Sequence, residues 1–318
     1  MTDRPTTPRA AHSPLAVRAA GIDFQNPILL AAGTAGYGAE LAGVLDLDRL
    51  GGLVTKAVSV EPRAGAPQPR VAEFRGGMIN AVGLANPGLA AVRDQHLPWL
   101  ATHLSRARVL VNVVGGTIDD FVAVVGGLSD APGATGFELN VSCPNVHHGG
   151  LEFGADRTVL AELVARVRAA TRKPLFVKLS PTLSDIGAAA QAAVDAGADG
   201  ITVVNTLPGL IIDPETRRPV LGFGTGGVSG AALLPVGLLA TARVARAVRV
   251  PIIGVGGIAT VEEIVQYIVA GATLVGIGTA AMQDPRLPER LVTALGEWCR
   301  RHGIETLTDV IGRLEWTT

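Results

Sequence analysis

A chain of 318 residues that is 48% hydrophobic and 17% charged can bury a large core, enough for one big α/β domain or two ordinary ones. Its net charge of -1, with no block of Lys or Arg, excludes the electrostatic footprint of a nucleic-acid binder. Cys143 and Cys299 are its two cysteines, far apart and in no metal-ligand spacing, which excludes a disulfide framework and a zinc site and points to a reducing cytoplasm.

Residues 1–14 are polar, carry Arg4 and Arg9 and hold no apolar core. They read as a flexible tail that is neither signal peptide nor anchor, with 15–318 as one domain. Eight short β-branched runs then recur at 27–32, 53–57, 109–114, 136–141, 175–179, 200–204, 251–255 and 274–277. Between the later runs lie Ala-rich amphipathic segments with the length and spacing of helices, at 158–170, 184–196, 236–247 and 261–269. Strand and helix in strict alternation imply a parallel sheet. A weak repeat agrees: 193–201 and 268–276 both run helix end, glycine cap, next strand. Eight such units close into a (β/α)8 TIM barrel.

Two uncharged stretches, 219–242 and 264–283, reach the length of a membrane span. The first is broken by glycines and Pro235, and the second changes from helical to strand pattern at Gly271, so both read as buried soluble structure with no membrane role.

The strands are nearly all apolar until their C-terminal ends, where Lys56, Asn112, Asn140, Lys178, Asn205, Gly256-Gly257 and Gly278-Thr279 appear. In a barrel those ends share one rim, the face on which barrel enzymes build their sites. Two lysines at strand ends are far from the solvated surface where lysine usually sits. Gly254-Val-Gly-Gly-Ile and Gly276-Ile-Gly-Thr follow the seventh and eighth strands, where barrels bind phosphate through bare backbone amides. Long insertions at 58–90 and 205–235, the second turning through Asp213-Pro214, elaborate the same rim as loops or hairpins and read as functional covers.

Residues 138–150, Glu-Leu-Asn-Val-Ser-Cys-Pro-Asn-Val-His-His-Gly-Gly, combine a candidate base with several hydrogen-bonding side chains. Asn140, Ser142 and Asn145 offer donors and acceptors, while Cys143 is the side chain among them that sheds a proton near neutral pH. Pro144 stiffens the backbone beside the thiol, and Gly149-Gly150 frees it again, as in a loop that closes over a ligand. His147 and His148 are adjacent on this loop with no further ligands nearby, which argues against a metal site.

Taken together, the chain resembles the dihydroorotate dehydrogenases, flavoproteins of pyrimidine synthesis, and within them the NAD-linked class 1B catalytic subunits. The resemblance runs from about Pro14 to Asp284. It rests on Asn-Pro-Ile-Leu-Leu-Ala-Ala-Gly at 26–33, Thr-Lys-Ala at 55–57, Asn-Ala-Val-Gly-Leu-Ala-Asn-Pro-Gly at 80–88 and Asn-Val-Ser-Cys-Pro-Asn-Val at 140–146. Val-Lys-Leu-Ser-Pro at 177–181, Val-Asn-Thr at 204–206, Gly-Gly-Val-Ser-Gly at 226–230 and Ile-Gly-Val-Gly-Gly-Ile at 253–258 complete it. The resemblance sets cysteine at 143 against the serine of the membrane-bound, quinone-linked class. The related dihydropyrimidine dehydrogenases look similar as well, but Asn145 after Cys-Pro fits orotate better.

The resemblance implies FMN as the cofactor, its phosphate on Gly256, Gly257, Gly278 and Thr279 with Gly230 nearby. It places Ala32, Lys56, Ala57, Asn112, Asn140, Lys178 and Val204 against the rest of the cofactor. Lys56, Asn80, Ala81, Val82, Gly83, Leu84, Asn140, Asn145, Asn205 and Thr206 would hold dihydroorotate or orotate. Cys143 would take the C5 proton as general base, Lys178 would stabilise negative charge growing on the flavin, and Asn140 would orient both partners. The barrel would pair as a homodimer. By the same resemblance a separate subunit carrying FAD and an iron-sulfur cluster would pass electrons to NAD; two cysteines cannot ligate a conventional cluster and no Gly-x-Gly-x-x-Gly opens a βαβ unit, so direct NAD binding by this chain is not expected. Leu234, where relatives often carry lysine, and the His147-His148 pair depart from the expected pattern. Competing readings are a fumarate-linked class 1A enzyme, a Schiff-base aldolase using Lys178, and a non-catalytic flavin-binding paralogue.

Overall fold

In the computed structural model, which describes residues 13–142 and 152–316, eight parallel strands close into a barrel. In chain order they are Ile28–Leu30, Gly52–Val54, Arg108–Val113, Gly136–Asn140, Leu175–Leu179, Gly200–Val203, Ile252–Val255 and Leu274–Ile277, and each pairs with its neighbours in sequence. These are the eight predicted runs, with ends that agree to within three residues; Gly52–Val54 and Arg108–Val113 begin one residue before the predicted start. Residues 1–12 of the expected tail lie outside the described residues.

The strands are buried on both faces because helices cover the outside and side chains fill the lumen. Ile118–Leu128, Arg157–Ala169, Ile186–Asp195, Leu234–Ala247, Val261–Ala270 and Leu287–Arg301 form much of that cover. Their starts are written in sequence. Thr117 with Asp120, and Thr260 with Glu263, form reciprocal capping boxes, while Asp156 and Asp185 cap with their carboxylates. The two stretches of membrane-span length are divided among short strands and amphipathic helices, and no helix among the described residues is long and apolar enough to cross a membrane.

Register decides what faces the lumen at the upper rim. Asn112 pairs with Glu138, Asn140 with Lys178, and Thr202 with Lys178. Paired residues of parallel strands share a face, and residues two apart on one strand share it too, so these five polar side chains project together.

Above the rim the two insertions form the hairpins expected there, and they pair with each other. Leu207–Gly209, Gly226–Ser229, Gly77–Asn80 and Val71–Phe74 form one four-stranded antiparallel sheet, with Asn80 opposite Gly227 and Met78 opposite Ser229. The physical reason is local. Residues 71–80 alternate about Arg75-Gly76, a hairpin pattern, and Gly76 takes φ +107 in its turn. A lone hairpin is marginal in water, and pairing with the second insertion supplies the missing neighbour.

Candidate active site

Between the barrel rim and the inserted sheet lies a cavity of about 770 Å³. The cofactor residues proposed from sequence line it: Ala32, Lys56, Ala57, Asn112, Asn140, Lys178, Val204, Gly230, Gly256, Gly257, Gly278 and Thr279. So do Asn80, Ala81, Val82, Gly83, Leu84, Asn205 and Thr206 of the substrate set. Cys143, Asn145, His147 and His148 lie outside the described residues. Ser142, which precedes Cys143, lines this cavity and a smaller adjoining one of about 290 Å³.

Charge in the barrel is concentrated at one point under the cavity. Glu138 is fully buried and accepts hydrogen bonds from Asn112 Nδ2 at 2.7 Å and Thr202 Oγ1 at 2.8 Å. Its Oε1 stands 4.0 Å from Lys178 Nζ. A buried carboxylate needs such partners, since desolvation without them costs several kcal/mol, on the order of the whole stability of a domain. Sequence reasoning gave Glu138 no role. The signal was there: a charge in the interior of an otherwise apolar strand.

A second group of contacts fixes amide orientations. Asn205 Nδ2 donates to Asn140 Oδ1 at 3.0 Å, and Asn205 Oδ1 accepts from the Thr206 amide at 2.9 Å, so the Asn140 oxygen is engaged and its NH2 remains for a ligand. Asn80 Nδ2 reaches the Gly227 carbonyl at 3.3 Å, tying the two insertions together at the cavity wall. Leu84 lies in the left-handed region at φ +57, a conformation that persists where surroundings hold it. Asn86 provides the hold. Its Nδ2 donates to Leu84 O and Ser59 Oγ, both at 2.8 Å, and its Oδ1 accepts from the amides of Ser59 at 3.2 Å and Gly88 at 2.9 Å. Asn86 belongs to the 80–88 motif, but the motif alone does not show this clamp, because Ser59 lies 27 positions away. In the smaller cavity, burial pushes the Glu152 carboxyl above its usual range, and a hydrogen bond from Ser180 opposes the shift.

At the far end of the cavity the walls are backbone. Gly230, Gly256 and Gly257 take φ +94, +128 and +76, and Thr279 opens a short helix and donates its hydroxyl to Ser229 Oγ at 2.8 Å. The amides of Gly256, Gly257, Gly278 and Thr279 donate to no group among the described residues. Backbone amides at a cavity wall without protein partners are rare unless something else accepts from them, and free amides at glycine turns suit an anion. A phosphate fits this cradle.

The family model for dihydroorotate dehydrogenase matches residues 14–298. The chain belongs to the dihydroorotate dehydrogenase family. With that it joins the flavin-dependent oxidoreductases, consistent with the phosphate cradle and the polar rim. The chain is 43% identical over 301 residues to the dihydroorotate dehydrogenase B (NAD(+)) catalytic subunit of Pelobacter propionicus, covering 95% of this chain and 98% of that protein. The protein of the same name from Geobacillus kaustophilus is 44% identical over 304 residues, 96% of each chain. A putative dihydroorotate dehydrogenase A (fumarate) of Solibacter usitatus is 47% identical over 302 residues, 95% of this chain and 99% of that one. The crystal structure of DHODH from Eimeria tenella in complex with ferulenol shares the fold, with a TM-score of 0.79, 24% identity, and coverage of 98% of this chain and 91% of that one.

Proposed function

We propose that the chain oxidises (S)-dihydroorotate to orotate in pyrimidine synthesis with FMN as its cofactor. The reading is carried by the convergence on one cavity of two lysines, four asparagines and an unpaired amide cradle. FMN, when bound, supplies the two-electron acceptor for the hydride leaving C6 of the substrate.

The chain's own residues do the rest. The amides of Gly256, Gly257, Gly278 and Thr279 hold the phosphate, with Gly230 close by, and Ala32, Ala57, Asn112 and Val204 wall the rest of the cofactor. Lys56 offers charge to the substrate carboxylate, while Asn80, Asn140, Asn145 and Asn205 match the alternating donors and acceptors of the planar imide. Ala81 to Leu84 and Thr206 wall that end of the cavity. Lys178, backed by Glu138, holds positive charge where negative charge grows during reduction. Cys143 takes the C5 proton onto sulfur, and Asn140 orients both reactants.

For the electrons' destination, NAD by way of a separate subunit carrying FAD and an iron-sulfur cluster is the reading supported by the NAD-linked names among the relatives and by this chain's two cysteines. Homodimer formation belongs to the same reading. A fumarate-linked enzyme is the second reading, favoured by the Solibacter relative. One experiment tests the whole: a flavin spectrum of the purified chain recorded before and after dihydroorotate is added. Bleaching supports the reaction, and an oxidised spectrum that dihydroorotate leaves unchanged overturns it. Reoxidation of the bleached flavin by NAD only with a partner subunit supports the NAD branch, and rapid reoxidation by fumarate alone supports the other.

A further inference from the structure

Among the described residues Tyr267 is the largest of the fully buried side chains, and nothing in the chemistry above uses it. It sits on helix Val261–Ala270 behind the barrel wall and does not line the cavity. Its slot exists only because three neighbours are glycine. A Cβ at Gly254 would fall on the Tyr267 ring, one at Gly237 would fall on its hydroxyl, and one at Gly256 would come within 3.2 Å of that hydroxyl. The ring alone would fill the space, as a phenylalanine would. What the hydroxyl adds is one hydrogen bond, donated to the Gly256 carbonyl at 2.7 Å. Burial, and then Glu263, push the hydroxyl above its usual range, so it remains a donor.

That carbonyl belongs to the peptide plane joining Gly256 to Gly257. In a trans peptide the C=O and the following N–H point in opposite directions. Anchoring the Gly256 oxygen on Tyr267, toward the helix layer, therefore aims the Gly257 N–H the other way, into the cavity that Gly257 lines. Both glycines have positive φ, at +128 and +76, and glycine in that region is free to rotate unless something fixes it. The cradle is thus made of the most mobile residue type and held from behind.

We propose that Tyr267 is a positioning residue for phosphate recognition, whose hydroxyl locks the Gly256–Gly257 peptide so that the Gly257 amide meets the cofactor's phosphate. The inference rests on the reading of this cradle as the phosphate site of FMN.

The test compares apo wild type and Tyr267→Phe for binding of FMN and of riboflavin, which lacks the phosphate. Wild type should bind FMN more tightly than riboflavin. Tyr267→Phe should lose about five- to tenfold in FMN affinity, the scale of one hydrogen bond, and less than twofold for riboflavin. A parallel measurement needs no flavin: inorganic phosphate should raise the Tm of apo wild type more than that of the variant. An equal loss for both ligands would mark a merely structural role and overturn the proposal, as would unchanged FMN affinity. Wild type that fails to prefer FMN over riboflavin would instead overturn the phosphate reading itself. Circular dichroism of the apo variant establishes that it is folded, and the phosphate arm reads the cradle even if flavin binding is weak.

Discussion

Glu138 and Lys178 hold opposite charges 4.0 Å apart at the floor of the cavity, with side chains 1% and 8% exposed. Removing one member of such a pair strands the other in the barrel, which typically costs about 3–5 kcal/mol, whereas a neutral isostere that keeps its hydrogen bonds costs less. Lys178→Met should therefore destabilise the apo chain by roughly that amount, and Glu138→Gln by about 1–3 kcal/mol, because one oxygen remains to accept from Asn112 and the Thr202 hydroxyl can turn to accept from the new amide. The double variant should be less destabilised than the sum of the two. Urea unfolding of the three variants measures this, and strict additivity would show that the two charges do not interact.

The barrel was legible because its strands are uniformly apolar and stop abruptly: the predicted run 175–179 is the strand Leu175–Leu179. The site was legible for the same reason, since Lys178, Asn112 and Asn140 interrupt runs that otherwise exclude polar atoms. What escaped notice depends on partners distant in sequence. Asn80 bonds to Gly227 across 147 positions, and nothing in either insertion names the other as its pairing strand. Glu138 reads locally as an anomaly and makes sense only once Asn112, Thr202 and Lys178 are brought around it. Tyr267 lies on the apolar face of an amphipathic helix, where an aromatic side chain looks like core, and its hydroxyl's acceptor is in another loop.

The two lysines should separate kinetically. In the proposed reaction Lys56 would face the substrate carboxylate, whose charge is the same before and after reaction, so Lys56→Ala should mainly raise KM and weaken orotate binding. Lys178 would face charge that grows as hydride moves, so Lys178→Ala should mainly lower the rate of flavin reduction. Steady-state and rapid-mixing kinetics on the two variants distinguish these effects. Equal changes in both quantities for both variants would mean the roles are divided differently.

Asn86 carries four hydrogen bonds beneath Leu84, whose backbone is left-handed. Asn86→Ala should release the 80–88 segment, raise KM for dihydroorotate by about tenfold or more, and cost about 1–3 kcal/mol in stability. The affinity for FMN should change much less, since the glycine cradle proposed for its phosphate is formed by other segments, 256–257 and 278–279. Parallel titrations with orotate and FMN check this, and comparable losses for both ligands would contradict it.

Asp48 ties the second barrel strand's approach to the third. Burial raises its carboxyl, but hydrogen bonds from the amides of Ala107, Arg106 and Ser105 and from the Ser105 hydroxyl outweigh that and leave it below the usual carboxylate range. A carboxyl lowered by folding contributes stability that is fully present above its unfolded value, about 3.9, and is lost as pH falls through its folded value. Asp48→Asn keeps an oxygen for the amides but cannot titrate. Its stability deficit relative to wild type should be largest near neutrality and shrink below about pH 4. Urea unfolding from pH 7 to 3 follows the difference, and a constant gap would remove Asp48 from the acid response.

Cys143 lies outside the described residues, so its assignment as base rests on sequence and on the cavity that Ser142 lines just before it. The base form of a thiol is the thiolate, and an ordinary thiol has a pKa of about 8.5. Below that value the thiolate fraction grows about tenfold per pH unit, so flavin reduction by dihydroorotate should accelerate with rising pH and level off once the thiol is ionised. Cys143→Ser offers a hydroxyl that stays protonated throughout, hence a far weaker base. The serine variant should retain its flavin spectrum and FMN affinity, while reduction slows by orders of magnitude at neutral pH and its plateau moves beyond the accessible range. Stopped-flow absorbance across pH separates the two properties. A serine variant reduced at the wild-type rate, with the same pH profile, would take the base role away from Cys143.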